Sequence, residues 1–310
     1  MSVVNRNANP LFRLVAYLCA VVVAGCVVSP WAYWAGTSLA SAGIVPFLEG
    51  FPFHRYFTRS IQISALVLLW PAFLWIGISR ISQLGIERNA FRWRDLATGF
   101  AAAMIPIVLL GAGYFYFEIY RFRENLGVSG FARILGTASV VAIIEEFLFR
   151  GVVLGLLLRV LPAWGAACVS SAIFAGVHFM RIARPTEAVP VTWLSGFEQI
   201  PLVCSSAPPF PLLAWGTLSL LVAGLLLAVA TLRTRSLYLA IGLHAGWILG
   251  QQGLQWLGRF SIRPPEALLP WVGPNVVSGA VPTGLVPVFA LLVTCAVIFL
   301  LYRREVRSVH

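Results

Sequence analysis

Long apolar runs, separated by short segments rich in turn-forming residues, dominate this chain. Eight runs have about the length, roughly 20 residues, that one bilayer crossing requires. They cover residues 11–33, 61–79, 95–117, 134–158, 161–180, 210–232, 236–256 and 281–302. Proline, glycine and serine punctuate the segments between them, as in "SSAPPFP". The pattern predicts an all-α, polytopic membrane protein with about eight transmembrane helices.

The composition supports lipid as part of the solvent of this protein. Of the residues, 59% are hydrophobic and 11% are charged, whereas a soluble domain is about half apolar and one quarter charged. All 22 basic residues are arginine, and against 11 acidic residues they give a net charge of +11. These arginines are scattered between apolar runs and form no basic face with interleaved aromatic residues. We therefore expect anionic lipid headgroups as partners and no nucleic acid.

Arginine is somewhat more frequent in those inter-run segments that would share one side of the membrane with both termini. The positive-inside rule then places the N- and C-termini in the cytoplasm. We expect an integral protein of the bacterial inner membrane.

The sequence "VAGC", which ends at Cys26, resembles the cleavage motif of bacterial lipoproteins. Apolar residues continue beyond it through "CVVSPWAYW". The favoured interpretation is a first span that runs on through Cys26 without cleavage.

The unusual polar residues all lie between residues 145 and 252, which suggests three regions. Residues 1–128 would form N-terminal transmembrane helices, residues 129–257 a catalytic core, and residues 258–310 a loop and a C-terminal helix. The segment 181–209 is predicted to be a lid or an ordered loop.

The run "VVAIIEEFLFRGVV", residues 140–153, places three ionisable groups in an apolar helix. Each costs roughly 2.5–3.5 kcal/mol at the centre of a membrane helix if it is unpaired. Glu146 and Arg150 are four residues apart and can pair along one helix face. Glu145 is turned by about 100° and lacks that partner, so it needs another explanation.

Two histidines, His178 and His244, also lie in apolar runs of this half of the chain. A carboxylate and two imidazoles have two chemical uses. They could bind Zn²⁺ through Glu145, His178 and His244. Alternatively, Glu145 could be a general base while the histidines stabilise an oxyanion. Both alternatives lead to hydrolysis of an amide bond.

The ordered motifs EExxxR (Glu145, Glu146, Arg150), FxxxH (Phe174, His178) and a later "GLHAGW" around His244 resemble the CPBP family, over about residues 129–257. That family comprises the type II CAAX prenyl proteases and bacterial relatives with the ABI domain. The resemblance implies an eight-helix intramembrane protease fold. It also implies that Glu145 activates water, that Glu146 assists, and that His178 and His244 bind metal, water or an oxyanion.

One position departs from the family pattern. Many members carry Asn four residues after the last histidine, where this chain has Ile248. Gln251, seven residues after His244, returns to nearly the same helix face. A glutamine amide offers two donors, so Gln251 is a candidate for the missing oxyanion donor.

The leading hypothesis is an intramembrane endopeptidase that acts on a membrane-embedded or lipidated peptide or protein. A non-catalytic scaffold or bacteriocin-immunity-type protein of the same fold is the alternative that Ile248 suggests. A transporter with a proton relay of buried Glu and His is the third possibility, although the sequence lacks the internal symmetry typical of transporters.

Overall fold

The structure is a computed structural model of the chain, and it describes residues 10–84, 86–124, 126–179, 190–205, 208–261, 265–274 and 283–302. Helices form almost all of its regular structure. The α-helices are α1 (Pro10–Ser41), α2 (Phe53–Ile76), α3 (Arg92–Tyr116), α4 (Val128–Glu146), α5 (Leu154–Leu157), α6 (Ala163–His178), α7 (Ser195–Ser205), α8 (Phe210–Thr234), α9 (Tyr238–Leu257) and α10 (Leu285–Leu301). A π-helix, Phe147–Val153, joins α4 to α5.

Each of the eight apolar runs contains helical residues, so the all-α prediction is confirmed. Four helices are long and apolar enough to cross a membrane, namely Phe12–Ser41, Phe53–Ile76, Arg92–Tyr116 and Phe210–Thr234. The runs 161–180 and 281–302 hold shorter apolar helices, and the run 134–158 divides into α4, the π-helix and α5. The number of eight crossings therefore stays a prediction.

The helices α1, α2 and α7 form one compact unit. The helix α1 continues without a break through Cys26, which is buried, in line with the favoured interpretation of that motif. Gly196 of α7 lies against the backbone of Cys26, where a side chain larger than hydrogen would collide. The predicted loop 181–209 thus contains the helix α7, which packs against α1 at Gly196. Residues 180–189, 206 and 207 lie outside the described ranges.

A second compact unit contains α3 to α6, the π-helix and α8 to α10. The division into residues 1–128, 129–257 and 258–310 stays a prediction, while in the structure α3 and α10 belong to the same unit as the motif-bearing helices. Within this unit the antiparallel strands β1 (Tyr120–Phe122) and β2 (Gly258–Phe260) pair just after α3 and α9.

The parallel helices α3 and α9 touch along a row of small residues. Added Cβ atoms at Gly242, Gly246 and Gly250 would meet, in turn, Leu96, Phe100 and Ile107 of α3. The contacts advance in the same direction on both helices, in steps of four residues on α9 and of four and then seven residues on α3. Small residues allow membrane helices to approach until their backbones touch, and this contact sets the height of α9.

The helix α10 is tied to α3 at a proline. Pro106 has no N–H, so the carbonyl of Ala102, four residues earlier, loses its helical donor. The hydroxyl of Thr294 in α10 donates to that carbonyl at 3.2 Å. A side chain of a neighbouring helix thereby satisfies a backbone group that the proline leaves free.

A buried acidic residue anchors the first turn of α3. Asp95 is 2% exposed. Its carboxylate accepts hydrogen bonds from Tyr302 Oη at 2.7 Å, Asn89 Nδ2 at 2.7 Å and Arg94 Nη2 at 3.1 Å. Since Tyr302 follows α10, the cluster fastens the end of α10 to the start of α3.

Candidate active site

The two adjacent glutamates lie at the last turn of α4, where the helix widens into the π-helix. A π-helix has i→i+5 hydrogen bonds and is frequent at functional sites. Glu146 and Arg150 are fully buried and form an ion pair at 3.2 Å, which confirms the pairing predicted from their spacing. Arg150 also donates to the carbonyl of Gly224 in α8 at 3.3 Å.

Glu146 has a second partner that its spacing did not reveal. Its Oε1 lies 2.7 Å from Nδ1 of His244 in α9. An ionised carboxylate only accepts hydrogen bonds, so Nδ1 of His244 carries the proton. The carboxylate therefore holds the imidazole in one tautomer and one orientation, and Nε2 of the neutral ring presents a lone pair.

Glu145 faces both histidines. Its Oε2 lies 3.6 Å from Nε2 of His178 and 3.9 Å from Nε2 of His244. This oxygen is buried and has no hydrogen-bond partner, although the Glu145 side chain as a whole is 23% exposed. The carboxylate that lacked an explanation in the sequence is thus the one between the two imidazoles.

His178 is held by its own helix. Its Nδ1 lies 2.7 Å from the carbonyl oxygen of Phe174, and a carbonyl can only accept. Nδ1 therefore donates, and the lone pair of neutral His178 is on Nε2, toward Glu145. One carboxylate oxygen and two imidazole nitrogens, all acceptors, thus lie close together, and this arrangement suits a proton donor such as water.

Phe174 lies at the centre of these groups. Its ring centroid is 4.4 Å from that of His178 and 5.9 Å from that of His244. The guanidinium of Arg150 lies over the same ring, with Cζ 4.3 Å from the centroid. The ring thereby packs against both imidazoles and makes a cation–π contact with the arginine.

The positions of the helices along their axes, here called their heights, explain how these residues meet. The chain turns back after α5, so α6 runs antiparallel to α4 and brings its last residue, His178, to Glu145. Leu237, the residue before α9, lies beside Gly151 of the π-helix. The first turn of α9 is therefore level with the π-helix and not with the end of α5. His244, only two turns into α9, consequently reaches the same height as His178.

Gln251 is not among the residues brought together here. It is fully buried, and both its amide oxygen and its amide nitrogen lack a hydrogen-bond partner. Its Cα lies about 10 Å beyond that of His244 along α9. Ile248 packs in an apolar cluster with Ala138 and Ala142 of α4, so the position of the family's Asn belongs to a helix–helix contact in this chain.

Sequence reasoning missed two parts of the site. One is the bond from Glu146 to His244, which joins residues 98 positions apart. The other is the carbonyl of Gly224, a backbone group that leaves no mark in a sequence. Gly224 itself offered only a weak signal in the sequence, because small residues occur throughout these helices.

The donor set has the chemistry of a zinc site but a wider spacing. Two ligands of tetrahedral zinc, with bonds of about 2.0–2.1 Å, are about 3.4 Å apart, and the two distances from Glu145 are 3.6 and 3.9 Å. In the described part of the chain, no group of three or more His, Cys, Asp and Glu residues could hold a metal ion. The side chains as they stand therefore do not fit a metal, and zinc stays a prediction.

Comparison with known proteins gives one match. Residues 127–249 match the model of a family described as type II CAAX prenyl endopeptidase, Rce1-like. The matched segment contains all three motifs and ends before Gln251. No curated protein and no solved structure matches the chain. The apolar helices and this match make the chain an integral membrane protein. Residues 127–249 are similar to the Rce1-like type II CAAX prenyl endopeptidases, which confirms over this segment the predicted resemblance to the CPBP proteases.

Proposed function

We propose that this chain is an intramembrane endopeptidase that hydrolyses a peptide bond of a membrane-embedded or lipidated substrate. The observation that carries the proposal is the buried Oε2 of Glu145, which has no hydrogen-bond partner and faces Nε2 of His178 and of His244. A carboxylate in this position suits a general base. Similarity to a protease family agrees with this role.

In the proposed reaction, Glu145 removes a proton from a water molecule as the water oxygen attacks the carbonyl carbon of the substrate. The C–O bond forms and the carbonyl π electrons move to oxygen, which becomes an oxyanion. Glu145 then delivers the proton to the amide nitrogen, the C–N bond breaks, and an acid and an amine are released. No other reactant is needed.

His244 is the residue that we assign to the oxyanion. Its Nδ1 donates to Glu146, and a carboxylate at this nitrogen stabilises an imidazolium, as in a catalytic triad. When Nε2 of His244 takes up a proton from a second water molecule, it can donate that proton in a hydrogen bond to the oxyanion, and the proton returns to solvent when the carbonyl re-forms. Glu146 acts through His244 as a positioning residue, and Arg150 neutralises the charge of Glu146.

The zinc alternative uses the same residues, and a chelation experiment distinguishes it from the metal-free mechanism. Zinc held by Glu145, His178 and His244 would polarise water and carbonyl. Full turnover by protein dialysed against a chelator would eliminate the metal, whereas loss of turnover that returns with added Zn²⁺ would establish it. The side-chain spacing leads us to expect full turnover after chelation.

The decisive experiment is a cleavage assay in detergent with a library of membrane peptides. We expect the wild type to cut some peptides, and Glu145→Gln to cut none while it retains its folded helix content. Glu124→Gln, which changes an exposed glutamate outside the site, is the matched control and should retain turnover. Equal turnover in wild type and Glu145→Gln would refute the proposal.

A non-catalytic scaffold of the same family is the second candidate function. The apolar packing of Ile248 favours it, because this position supplies no donor to an oxyanion. The scaffold predicts that no library peptide is cut by any variant, although the protein still folds.

We further propose eight membrane crossings, a bacterial inner-membrane location and cytoplasmic termini. The terminal residues lie outside the described ranges. The parallel contact of α3 with α9 supports the proposal, since the third and seventh of eight crossings run in the same direction. Reporter fusions that place His310 on the far side of the membrane would refute it.

A further inference from the structure

In the helices α8 and α9, two buried polar side chains outside the catalytic cluster have no hydrogen-bond partner. Gln251 in α9 is fully buried, and Ser219 in α8 is 1% exposed. Neither atom of the Gln251 amide has a hydrogen-bond partner, and the Ser219 hydroxyl also has none. Buried polar groups are almost always hydrogen-bonded, so two such residues on different helices indicate a polar ligand.

The two residues lie at similar heights in one helical hairpin. The helices α8 and α9 are joined by a short turn at Ser236. At 1.5 Å per residue, Ser219 lies about 25 Å and Gln251 about 22 Å from that turn. His244 lies about 12 Å from it. Both unpartnered groups are therefore on the same side of His244, about two turns away.

The chemistry of this pair matches a peptide main chain. A glutamine amide offers both donors and an acceptor, and a serine hydroxyl offers one of each. Neither residue is charged, so an ion is a poor match. The unpaired N–H and C=O groups of an extended peptide supply complementary partners.

We propose that Gln251 and Ser219 form a subsite that binds the main chain of an extended substrate, about three residues from the bond that is cut. The spacing follows from geometry, since Gln251 lies about 10 Å beyond His244 along α9 and an extended chain advances about 3.3 Å per residue. Gln251 returns to nearly the same face of α9 as His244. The inference rests on the proposed protease function.

This role differs from that of an oxyanion donor, which Gln251 was predicted to be from its helical position. A donor to the oxyanion acts only in the transition state, so its loss lowers kcat. A contact to the distant main chain is the same in ground and transition states, so its loss raises KM and leaves kcat nearly unchanged.

The test uses peptide binding, so that it does not depend on cleavage. Fluorescent peptides of the library are bound to the detergent-solubilised Glu145→Ala protein, and the tightest binder becomes the probe. Adding Gln251→Leu should weaken its binding roughly ten-fold, and Ser219→Ala roughly three-fold, as expected for lost neutral hydrogen bonds. The control, Gln252→Leu, changes the adjacent and partly exposed residue and should bind like the parent.

A second measurement locates the contact on the peptide. N-methylation of each residue in turn removes one main-chain N–H. One methylated position, about three residues from the scissile bond, should weaken binding to the parent protein but not to Gln251→Leu.

Unchanged binding in both variants, or failure of every library peptide to bind, would overturn the subsite. Binding that depends on Gln251 without any cleavage would instead overturn only the proposed function. Loss of fold does not confuse the result, since Gln251→Leu removes an unpartnered polar group and should unfold at or above the parent temperature. If Gln251→Leu alone, in protein that keeps Glu145, lowered kcat at constant KM, Gln251 would be a donor to the oxyanion instead.

Discussion

Two buried acidic clusters of the second unit differ in how completely their charges are satisfied. Around Asp95, the side chains of Asn89, Arg94 and Tyr302 donate hydrogen bonds to the carboxylate, and both of its oxygens accept. Around Glu145 and Glu146, one carboxylate oxygen of each residue is buried without a hydrogen-bond partner. The Nε of Arg150 is in the same situation.

We propose that the difference separates a structural cluster from a chemical one. A fully hydrogen-bonded network stabilises one arrangement, while partly satisfied polar groups cost free energy in the resting protein. Such a cost is expected where a substrate or water must enter. Asp95 fastens α10 to α3, whereas Glu145 keeps an oxygen available for a proton, and the following predictions test this distinction.

The largest effect is expected at Glu145, the proposed base. Glu145→Gln keeps the shape of the side chain but cannot take a proton from water, so turnover should fall by about 10²–10⁴-fold. The melting temperature in detergent should stay within a few degrees of wild type, because Oε2 makes no hydrogen bond. A large fall in the melting temperature of Glu145→Gln would show that Glu145 stabilises the fold, as Asp95 does.

The next effect concerns the ion pair. Glu146→Gln leaves Arg150 as a buried cation without a counter-charge, which should lower the free energy of unfolding by about 3–5 kcal/mol. The double variant Glu146→Gln with Arg150→Met removes both charges and should recover most of that loss. Turnover should stay low in both, since His244 no longer has a carboxylate at Nδ1. Thermal unfolding and the cleavage assay measure the two effects, and full turnover in the double variant would contradict the positioning role.

A smaller effect is expected at the satisfied cluster. Asp95→Asn removes the charge that Arg94 and Tyr302 bind, and should lower the free energy of unfolding by about 1–3 kcal/mol. Turnover per folded molecule should match wild type, since Asp95 makes no contact with the motif residues. A specific loss of kcat in folded Asp95→Asn would erase the distinction between the two clusters.

The smallest effect is expected at the proline of α3. Thr294→Val keeps the volume but removes the donor to the Ala102 carbonyl, so the free energy of unfolding should fall by about 1 kcal/mol. The double variant Thr294→Val with Pro106→Ala restores a backbone donor and should recover the loss. Unfolding curves in detergent test both, and equal stability of wild type and Thr294→Val would show that the carbonyl is satisfied in another way.

The sequence by itself determined what depends on neighbours along the chain. Apolar runs predicted helices, because hydrophobic length is a local property, and the i, i+4 spacing predicted the pair of Glu146 with Arg150. The order of short motifs predicted the family. The same local logic missed the π-helix after Glu146, since nothing in the apolar run distinguishes i→i+5 from i→i+4 hydrogen bonds. It also missed α7, whose apolar residues are too few to stand out as a run.

Only the tertiary structure decided which groups meet. In the sequence, Glu145 has no partner. His178 lies near the end of the apolar run 161–180, whereas His244 lies nearer the start of the run 236–256. In the fold, the close contact of small residues between α3 and α9 sets the height of α9, and Leu237 beside Gly151 brings His244 level with His178. The same packing turns Ile248 toward α4 and leaves Gln251 buried without a partner. Helix periodicity specifies the direction of a side chain around its own axis, but its height relative to another helix depends on packing between residues far apart in the chain.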